Sequence, residues 1–251
     1  AAIAAMHTFG KAFARGPRQA PPGLQGLQAP AHDLNEAQAK RWLAQAGIQC
    51  APEEVCLDAE NAVEVAQRLG YPVVLKIVSP DILHKSEIGG VLLNVDSAAQ
   101  VREGFECLIQ RARAAVPHAK LEGVLVARQL SGGVECILGL THDPVFGPVA
   151  MFGLGGIFVE VLKDVVFHRC PFGPDVAEAM IRSIRGAPLL LGARGRPPVD
   201  IEALAQLLSR LSAVGDVCRE QVLSIDLNPV LAMPQGQGAF AVDAVVEMKP
   251  H

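Results

Sequence analysis

Residues 72–95 read PVVLKIVSPDILHKSEIGGVLLNV, and this stretch places a charge where a folded core normally excludes one. Val73–Val78 is a short, continuous apolar run of the kind found in strands that are covered on both faces. Lys76 lies in the middle of that run, so its ammonium group needs a partner inside the protein. A polar loop that ends in two glycines leads to a second apolar run, Val91–Val95. The pattern predicts two strands joined by a polar loop.

The loop between these strands has the composition of a phosphate-binding segment. Gly89 and Gly90 allow backbone N–H groups to approach an anion closely, while Lys76 and Lys85 supply positive charge. His84, between the two lysines, is placed to attack a phosphoryl group and carry it as phosphohistidine. A simpler interpretation also fits the spacing: Lys76 reaches solvent from an edge strand, and the glycines form an ordinary turn.

The composition is typical of a globular protein and argues against two classes of function. The chain has 251 residues, 50% of them hydrophobic and 19% charged, which suits one large domain or two small ones. A net charge of −4 at pH 7 argues against nucleic-acid binding, which needs a basic face. The uncharged segment 144–159 is shorter than the ~20 residues of a membrane-spanning helix and is interrupted by proline and glycine.

The six cysteines are scattered along the chain without a C-x-x-C pair, so the sequence predicts neither a zinc site nor a disulfide framework. They are Cys50, Cys56, Cys107, Cys136, Cys170 and Cys218. We interpret them as reduced thiols packed in a cytoplasmic protein.

Residues 1–32 are predicted to be separate from the rest of the chain. Ala1–Ala14 is helix-like, and Gly16–Pro30 is rich in proline, glycine and glutamine, as linkers are. The segment lacks the hydrophobic core and cleavage pattern of a signal peptide. We expect it to be the tail of a preceding domain followed by a linker.

The remaining chain mixes helical and strand patterns. Helices with capping residues or apolar faces are predicted for Asn35–Ala46, Asp58–Leu69, a segment capped by Ser97, Asp175–Ile184 and Asp200–Val214. Further strands are predicted for Gly123–Leu130 and Val134–Leu140 as a hairpin, then for Gly147–Phe152, Phe158–Val166, and an antiparallel pair of Val222–Met233 with Ala239–Val246.

One of these strands carries a candidate metal site. Asp226 and Asn228 alternate along Val222–Met233, so their side chains share a face, and Asp243 lies on the neighbouring strand. Two or three oxygen ligands on a strand pair suit Mg²⁺, which keeps bound waters and shares phosphate oxygens of a substrate. The same pattern also fits polar residues on a solvent-facing strand.

Beyond these patterns, the string KIVSPDILHKSEIGGV closely resembles the signature of the nucleotide-binding subunit of ADP-forming acetyl-CoA synthetases. These enzymes are relatives of succinyl-CoA synthetase with an ATP-grasp fold. The resemblance continues through GVLVARQLSGGVECILGLTHDPVFGPVAMFGLGGIFVEVLKDV and ends with SIDLNPV and AFAVDAVV, so it covers roughly Leu34 to Glu247. It implies an α+β fold of two ATP-grasp subdomains, residues 33–125 and 126–251, with the nucleotide between them.

The resemblance also implies residues that bind the nucleoside. Arg128, Gln129 and Leu130 match the hinge whose backbone faces adenine, although relatives often have Glu where Arg128 stands. Glu135 matches the acidic residue that accepts hydrogen bonds from the ribose hydroxyls, a role that suits a carboxylate because it offers only acceptors. The alternative for Glu135 is a charge on an edge strand that faces water.

Gly155 and Gly156 belong to a G-x-G-G loop, which by itself is weak evidence for nucleotide binding. The helix of a dinucleotide-binding fold is missing after it, because the β-branched and aromatic run IFVEVLKDVVF follows instead. The resemblance implies that this loop approaches the phosphohistidine segment or the triphosphate. Relatives commonly carry Arg where His168 stands, whereas the basic residue here is Arg169.

For the chemistry, the resemblance implies that His84 is the nucleophile and that Lys76 neutralises charge on the phosphates of ATP or ADP. Asn228 and Asp243 match ligands of Mg²⁺, with Asp226 as a third. The implied enzyme is an acid–thiol ligase that interconverts carboxylic acid, CoA and ATP with acyl-CoA, ADP and phosphate through acyl phosphate and phosphohistidine.

The CoA-binding and acyl-phosphate-forming domains of such an enzyme are expected in the same polypeptide or in a partner subunit. The isolated chain is therefore expected to bind ATP without forming a thioester. A second hypothesis is a non-catalytic nucleotide-sensing or scaffolding module of a multidomain protein such as a protein acetyltransferase. The carboxylic acid, the choice between ATP and GTP, and the oligomeric state stay open.

Overall fold

The computed structural model describes residues 24, 26–32, 34–82, 85–156, 164–195 and 197–250. Several sequence predictions lie outside these residues: the helix Ala1–Ala14, most of the linker, His84, and most of the strand Phe158–Val166. The described part is an α+β fold with two antiparallel sheets, so the predicted fold class is confirmed.

The first sheet has four strands in the described chain, in the order β1-β4-β2-β3. They are β1 (Glu53–Cys56), β2 (Val73–Val78), β3 (Val91–Val95) and β4 (Gly123–Arg128). Two helices pack on this sheet and complete its core, α2 (Ala59–Leu69) and α3 (Ala98–Ala115). Every residue of β2 is buried, as its continuous apolar run predicts.

The predicted helix starts are confirmed by their capping residues. Asn35 caps α1 (Glu36–Gln45) with a reciprocal capping box to Gln38. Asp58 and Ser97 accept hydrogen bonds from backbone N–H groups in the first turns of α2 and α3. The caps therefore locate the helix starts to within a residue of their sequence predictions.

The second sheet has six strands in the described chain, in the order β10-β8-β5-β6-β7, with β9 paired to β8. They are β5 (Val134–Asp143), β6 (Gly147–Leu154), β7 (Val165–Arg169), β8 (Val222–Ala232), β9 (Ala239–Ala241) and β10 (Val245–Met248). Its core includes residues of α4 (Pro174–Ser183), α5 (Ala187–Leu190) and α6 (Ile201–Val217).

Helix α1 contacts both sheets, although the sequence places it with the first. Trp42 and Leu43 pack in the core of the second sheet, while Ala37 packs against Val78 of β2 and Leu125 of β4. One amphipathic helix thus closes part of each core. Its polar first turn lies where the two sheets approach each other, because Glu36 binds Lys76 of β2, which in turn lies 3.4 Å from Asp243.

The predicted hairpin of Gly123–Leu130 with Val134–Leu140 is wrong. Strand β4 pairs with β1 on one side and β2 on the other, whereas β5 pairs with β6 and β8 in the second sheet. Both edges of β4 are therefore occupied, and the Ser131-Gly132-Gly133 turn carries the chain from one sheet to the other. The first sheet ends at Arg128, so the predicted boundary between Leu125 and Val126 falls inside a strand.

The predicted strand Ala239–Val246 is interrupted. Strands β9 and β10 both pair with β8, but residues 242–244 between them belong to neither. The Val242 carbonyl instead accepts hydrogen bonds from two lysine side chains, and Asp243 Oδ1 accepts one from Ala244 N at 2.8 Å. The break places Asp243 beside the first sheet rather than on a regular strand.

All six cysteines are free thiols, as predicted. Burial raises the pKa of Cys50 and that of Cys56 to about 11, so both are expected to be protonated near neutral pH. No helix in the described ranges combines the length and the apolar character needed to cross a bilayer.

Candidate functional site

Lys76 has the internal partner that its sequence position requires. Its Nζ donates to Glu36 Oε1 at 2.7 Å, and lies 3.4 Å from both Asp243 Oδ2 and the Val242 carbonyl oxygen. The Lys76 side chain is only 9% exposed, on an inner strand. The alternative in which Lys76 reaches solvent from an edge strand is therefore wrong.

Glu36, in the first turn of α1, is a site residue that the sequence patterns did not identify. Besides Lys76, its Oε1 accepts from Lys40 Nζ at 2.9 Å and its Oε2 accepts from Lys85 Nζ at 2.8 Å. Burial alone raises the pKa of Glu36, but the ammonium groups of Lys76, Lys40 and Lys85 outweigh it and hold the pKa well below the ordinary value of 4.5. The carboxylate is therefore ionised throughout the physiological range.

Lys40 extends this arrangement towards β1. Its Nζ contacts the Glu53 carboxylate and donates to the Val242 carbonyl at 2.9 Å. Burial lowers the pKa of Lys40, but Glu36 and Glu53 raise it above its usual value. Burial also raises the pKa of Glu53, and Lys40 only partly offsets this.

We call this group the lysine–carboxylate cluster: Glu36, Lys40, Glu53, Lys76, Lys85 and Asp243. Its three ammonium groups face three carboxylates, so its formal charges balance. Sequence patterns identified Lys76, Lys85 and Asp243 but gave no sign that α1 supplies the carboxylate between the lysines. Glu36 and Lys40 instead match an i, i+4 pair on a solvent-facing helix.

The loop after β2 returns tightly to its own strand. Residues Lys85–Ile88 form a short 3-10 helix, and Gly90 N donates to the Lys85 carbonyl at 2.7 Å. A Cβ atom on Gly90 would lie 2.8 Å from that carbonyl oxygen and 2.8 Å from Ile77 Cγ2, so the close return requires glycine here. His84, which lies outside the described residues, directly precedes Lys85, whose ammonium group is bonded to Glu36.

The predicted metal ligands gather at the break between β9 and β10. Asp226 and Asn228 share the exposed face of β8, and Asp226 pairs in register with Val245, two residues after Asp243. Desolvation raises the pKa of Asp226, and the negative charges of Asp243 and Glu247 raise it further. This is a site where a cation would relieve electrostatic repulsion.

In the described ranges, no cluster of three or more His, Cys, Asp and Glu side chains is arranged to hold a metal ion. The predicted set offers two carboxylates and the Asn228 amide. That set fits Mg²⁺, which proteins often bind through one or two carboxylates together with waters and substrate phosphates, and it would not form a complete all-protein cage.

The predicted adenine hinge lies at the passage between the sheets. Arg128 N donates to the Pro52 carbonyl at 2.9 Å, and Gln129 N donates to the Pro72 carbonyl at 3.1 Å. The Gln129 amide is paired with Asn94, through Nε2 to Oδ1 at 2.7 Å and from Asn94 N to Oε1 at 2.7 Å. The side chain of Gln129 thus anchors the hinge to β3. Leu130 is half-buried.

Glu135, Gly155 and Gly156 are brought together at the ends of β5 and β6. Gly155 N donates to the Glu135 carbonyl at 2.7 Å, and a Cβ on Gly155 would lie 2.9 Å from Glu135 Cβ. A Cβ on Gly156 would lie 3.7 Å from Glu135 Oε2, so the carboxylate borders the glycine loop. The side chain of Glu135 is exposed, but its strand β5 lies between β8 and β6. The alternative that Glu135 lies on an edge strand is therefore wrong.

His168, which the sequence analysis singled out, has a packing contact. Its ring lies edge-on to Phe172 with centroids 5.0 Å apart, and its Nδ1 is 2.8 Å from the Arg169 carbonyl oxygen. Nothing in the described structure brings His168 to the lysine–carboxylate cluster.

Residues 25–248 match the ATP-grasp domain family. The chain is 44% identical to the beta subunit of the ADP-forming acetate–CoA ligase I of Pyrococcus furiosus, over 88% of this chain and 94% of that subunit. It is also 44% identical to the ADP-forming acetate–CoA ligase I of Archaeoglobus fulgidus, over 76% of this chain but only 27% of that longer protein.

Among solved structures, the chain resembles the dinucleotide forming acetyl-coenzyme A synthetase 1 of Ca. Korarchaeum cryptofilum. The complex with coenzyme A and Ca-AMPCP superposes with a TM-score of 0.82 at 41% identity, covering 87% of this chain and 95% of that one. In the complex with Mg-AMPPCP, the TM-score is 0.75 at 40% identity, covering 86% of this chain and 93% of that one. In that second complex the phosphohistidine segment is described as pointing towards the nucleotide binding site.

Proposed function

The chain belongs to the ATP-grasp family of the ADP-forming acyl-CoA ligases, as the counterpart of their nucleotide-binding beta subunit, and from this premise we propose how its own residues act. ATP binds with Mg²⁺ between the two sheets, and its γ-phosphoryl group passes to His84. The observation that carries this proposal is the 3.4 Å contact between Lys76 Nζ and Asp243 Oδ2. It joins the phosphate-binding lysine of the first sheet to the metal-binding carboxylate of the second.

The first sheet provides the positive side of the proposed site. Lys76 and Lys85 lie on the strand and loop that lead to and from His84, and both ammonium groups are held by Glu36. Fixed positive charge stabilises the negative charge of a phosphoryl group during transfer, and does so best where the groups need no rearrangement. The lysines therefore supply charge that is already oriented before the nucleotide arrives.

The second sheet provides the acidic side and the nucleoside contacts. Asp243, Asn228 and Asp226 are the residues that would hold Mg²⁺, which would offset the negative charge of the phosphates there. Glu135, beside the glycine loop, accepts hydrogen bonds from the ribose hydroxyls. The backbone at Arg128–Leu130 contacts the adenine. The side-chain amide of Gln129 stays bound to Asn94 and holds this backbone in place.

In the transfer step, an imidazole nitrogen of His84 uses its lone pair to form a bond to the γ-phosphorus. The bond from that phosphorus to the oxygen bridging the β-phosphate breaks, and ADP leaves with the bonding electrons. No oxidation or reduction occurs, and the ring keeps its other N–H. The reverse sequence makes ATP from phosphohistidine and ADP.

The CoA-dependent steps are proposed to occur on other domains, in the same polypeptide or in a partner subunit. The Pyrococcus furiosus relative is named as one subunit of its enzyme, and the Archaeoglobus fulgidus relative is a much longer chain. Which carboxylic acid is activated would be set by those domains, because the phosphohistidine side handles only phosphate.

The test is incubation of the chain with γ-labelled ATP and Mg²⁺, followed by assay for acid-labile, base-stable protein phosphate. We expect label on the wild type and none on His84→Ala. His168→Ala is the matched control, because it removes a histidine that packs against Phe172, and it should retain label. Label that persists in His84→Ala would contradict the assignment of the nucleophile. Nucleotide binding without label on any variant would favour the non-catalytic module.

A further inference from the structure

Glu36 connects residues that the proposed mechanism uses, although it has no assigned role in that mechanism. It is the deepest of these groups: the exposed fraction is 5% for the Glu36 side chain, 9% for Lys76, 19% for Lys85 and 33% for Asp243. Exposure thus increases steadily from the carboxylate outward. Glu36 therefore lies on the protein side of the two lysines, away from solvent.

The three lysines of the cluster differ in how many of their hydrogen-bond donors are already occupied within the protein. An ammonium group has three N–H donors. Lys40 directs its donors to Glu36, Glu53 and the Val242 carbonyl, so all three of its donors are occupied within the protein. Among the described residues Lys85 donates only to Glu36, and Lys76 makes one short bond to Glu36 and two long contacts of 3.4 Å.

Two ammonium groups that are close together repel each other and are costly to bury. Glu36 removes this obstacle, because it binds Lys76 through Oε1, which also accepts from Lys40, and binds Lys85 through Oε2. Among the described residues Lys85 keeps two donors for a phosphate oxygen, and Lys76 can turn donors away from its two 3.4 Å contacts, so neither lysine needs to break its short bond to Glu36.

We propose that Glu36 is a positioning residue for the phosphates of the nucleotide: it holds the ammonium groups of Lys76 and Lys85 side by side, so that both can bind the same polyphosphate. This inference rests on the proposed nucleotide site and adds a residue that acts through the two lysines. It makes α1, through Glu36, a determinant of affinity for phosphate but not for the nucleoside.

The test compares the dissociation constants of ATP and of adenosine, both with Mg²⁺, by titration calorimetry on the wild-type chain and on Glu36→Gln. The variant keeps the size of the side chain and removes its charge. We expect ATP to bind about 10- to 100-fold more weakly, as for loss of charged hydrogen bonds, while adenosine binding changes less than about twofold. A merely structural role for Glu36 would weaken both ligands together.

Glu53→Gln is the matched control, because Glu53 belongs to the same cluster yet contacts Lys40 and neither phosphate-binding lysine. It should destabilise the fold while leaving the ratio of ATP to adenosine affinity unchanged. Glu36→Asp is a second variant in case Glu36→Gln does not fold. It retains the charge but draws the carboxylate back by one methylene, and it should also lower the affinity for ATP selectively.

The outcomes separate the two proposals. An unchanged ratio of affinities in folded Glu36→Gln or Glu36→Asp overturns the positioning role and leaves the nucleotide site intact. A wild-type chain that binds ATP no more tightly than adenosine overturns the proposed phosphate site itself, and the role of Glu36 with it. A selective loss for ATP in the Glu36 variants, with none in Glu53→Gln, supports the inference.

Discussion

The two sides of the proposed site are built in opposite ways. On the lysine side, Lys76 and Lys85 are bonded to Glu36, and the charges of the cluster balance inside the protein. On the acidic side, Asp226 and Asn228 are exposed, and desolvation followed by the like charges of Asp243 and Glu247 raises the pKa of Asp226. The difference indicates that the protein alone orders the positive side, whereas a bound cation would stabilise the acidic side.

The largest effect that would test this contrast is the loss of the central carboxylate. Glu36→Ala leaves three buried or half-buried lysines without their shared partner, and breaking a buried ion pair in this way costs about 3–5 kcal/mol. Asp226→Ala on the exposed side should cost less than about 1 kcal/mol. Urea denaturation of both variants without ligand measures the difference. Equal losses would mean that the acidic side is as tightly ordered as the lysine side.

A second effect is the dependence of stability on pH. Because the pKa of Glu36 in the folded chain lies well below its ordinary value of 4.5, its contribution is fully present above that value and is lost as the pH falls further. Stability of the wild type should therefore fall progressively as the pH drops below about 4.5, and this acid-induced loss of stability should be smaller in Glu36→Gln. Urea midpoints at several pH values measure it. Identical acid limbs would contradict the assignment.

The smallest effect is expected on the acidic side and has the opposite sign. Asp226→Asn removes a negative charge from beside Asp243 and Glu247, so it should leave stability unchanged or raise it by a few tenths of a kcal/mol without ligand. The same variant should show a smaller rise in melting temperature on adding Mg²⁺ with ADP, since a ligand that binds only the folded chain stabilises it. A clear loss of stability without ligand would show that Asp226 has an unseen cationic partner.

Much of the local structure could be predicted from the sequence. The helix starts follow from Asn35, Asp58 and Ser97, whose side chains satisfy backbone N–H groups of the next turn. The buried strand β2 follows from its apolar run, and the shared face of Asp226 and Asn228 follows from strand alternation. These are properties of neighbouring residues, which a single sequence contains directly.

Other features escaped prediction because they depend on distant parts of the chain. The glycine turn 131–133 reads as a hairpin, but β4 has partners on both sides from earlier strands, so the chain crosses to the second sheet. The strand Ala239–Val246 reads as continuous, but the Val242 carbonyl binds lysines from α1 and β2. In both cases a long-range contact outweighs a local preference.

The sequence by itself determined that Lys76 lies in a continuous apolar run, which favours a buried lysine with an internal partner but leaves an edge-strand lysine open. Only the tertiary structure decided that the partner is Glu36. Alone, Glu36 and Lys40 would form an exposed helical pair worth a few tenths of a kcal/mol. Packing α1 against both sheets takes Glu36 out of water and surrounds it with three lysines, and burial turns a weak surface pair into the centre of the site.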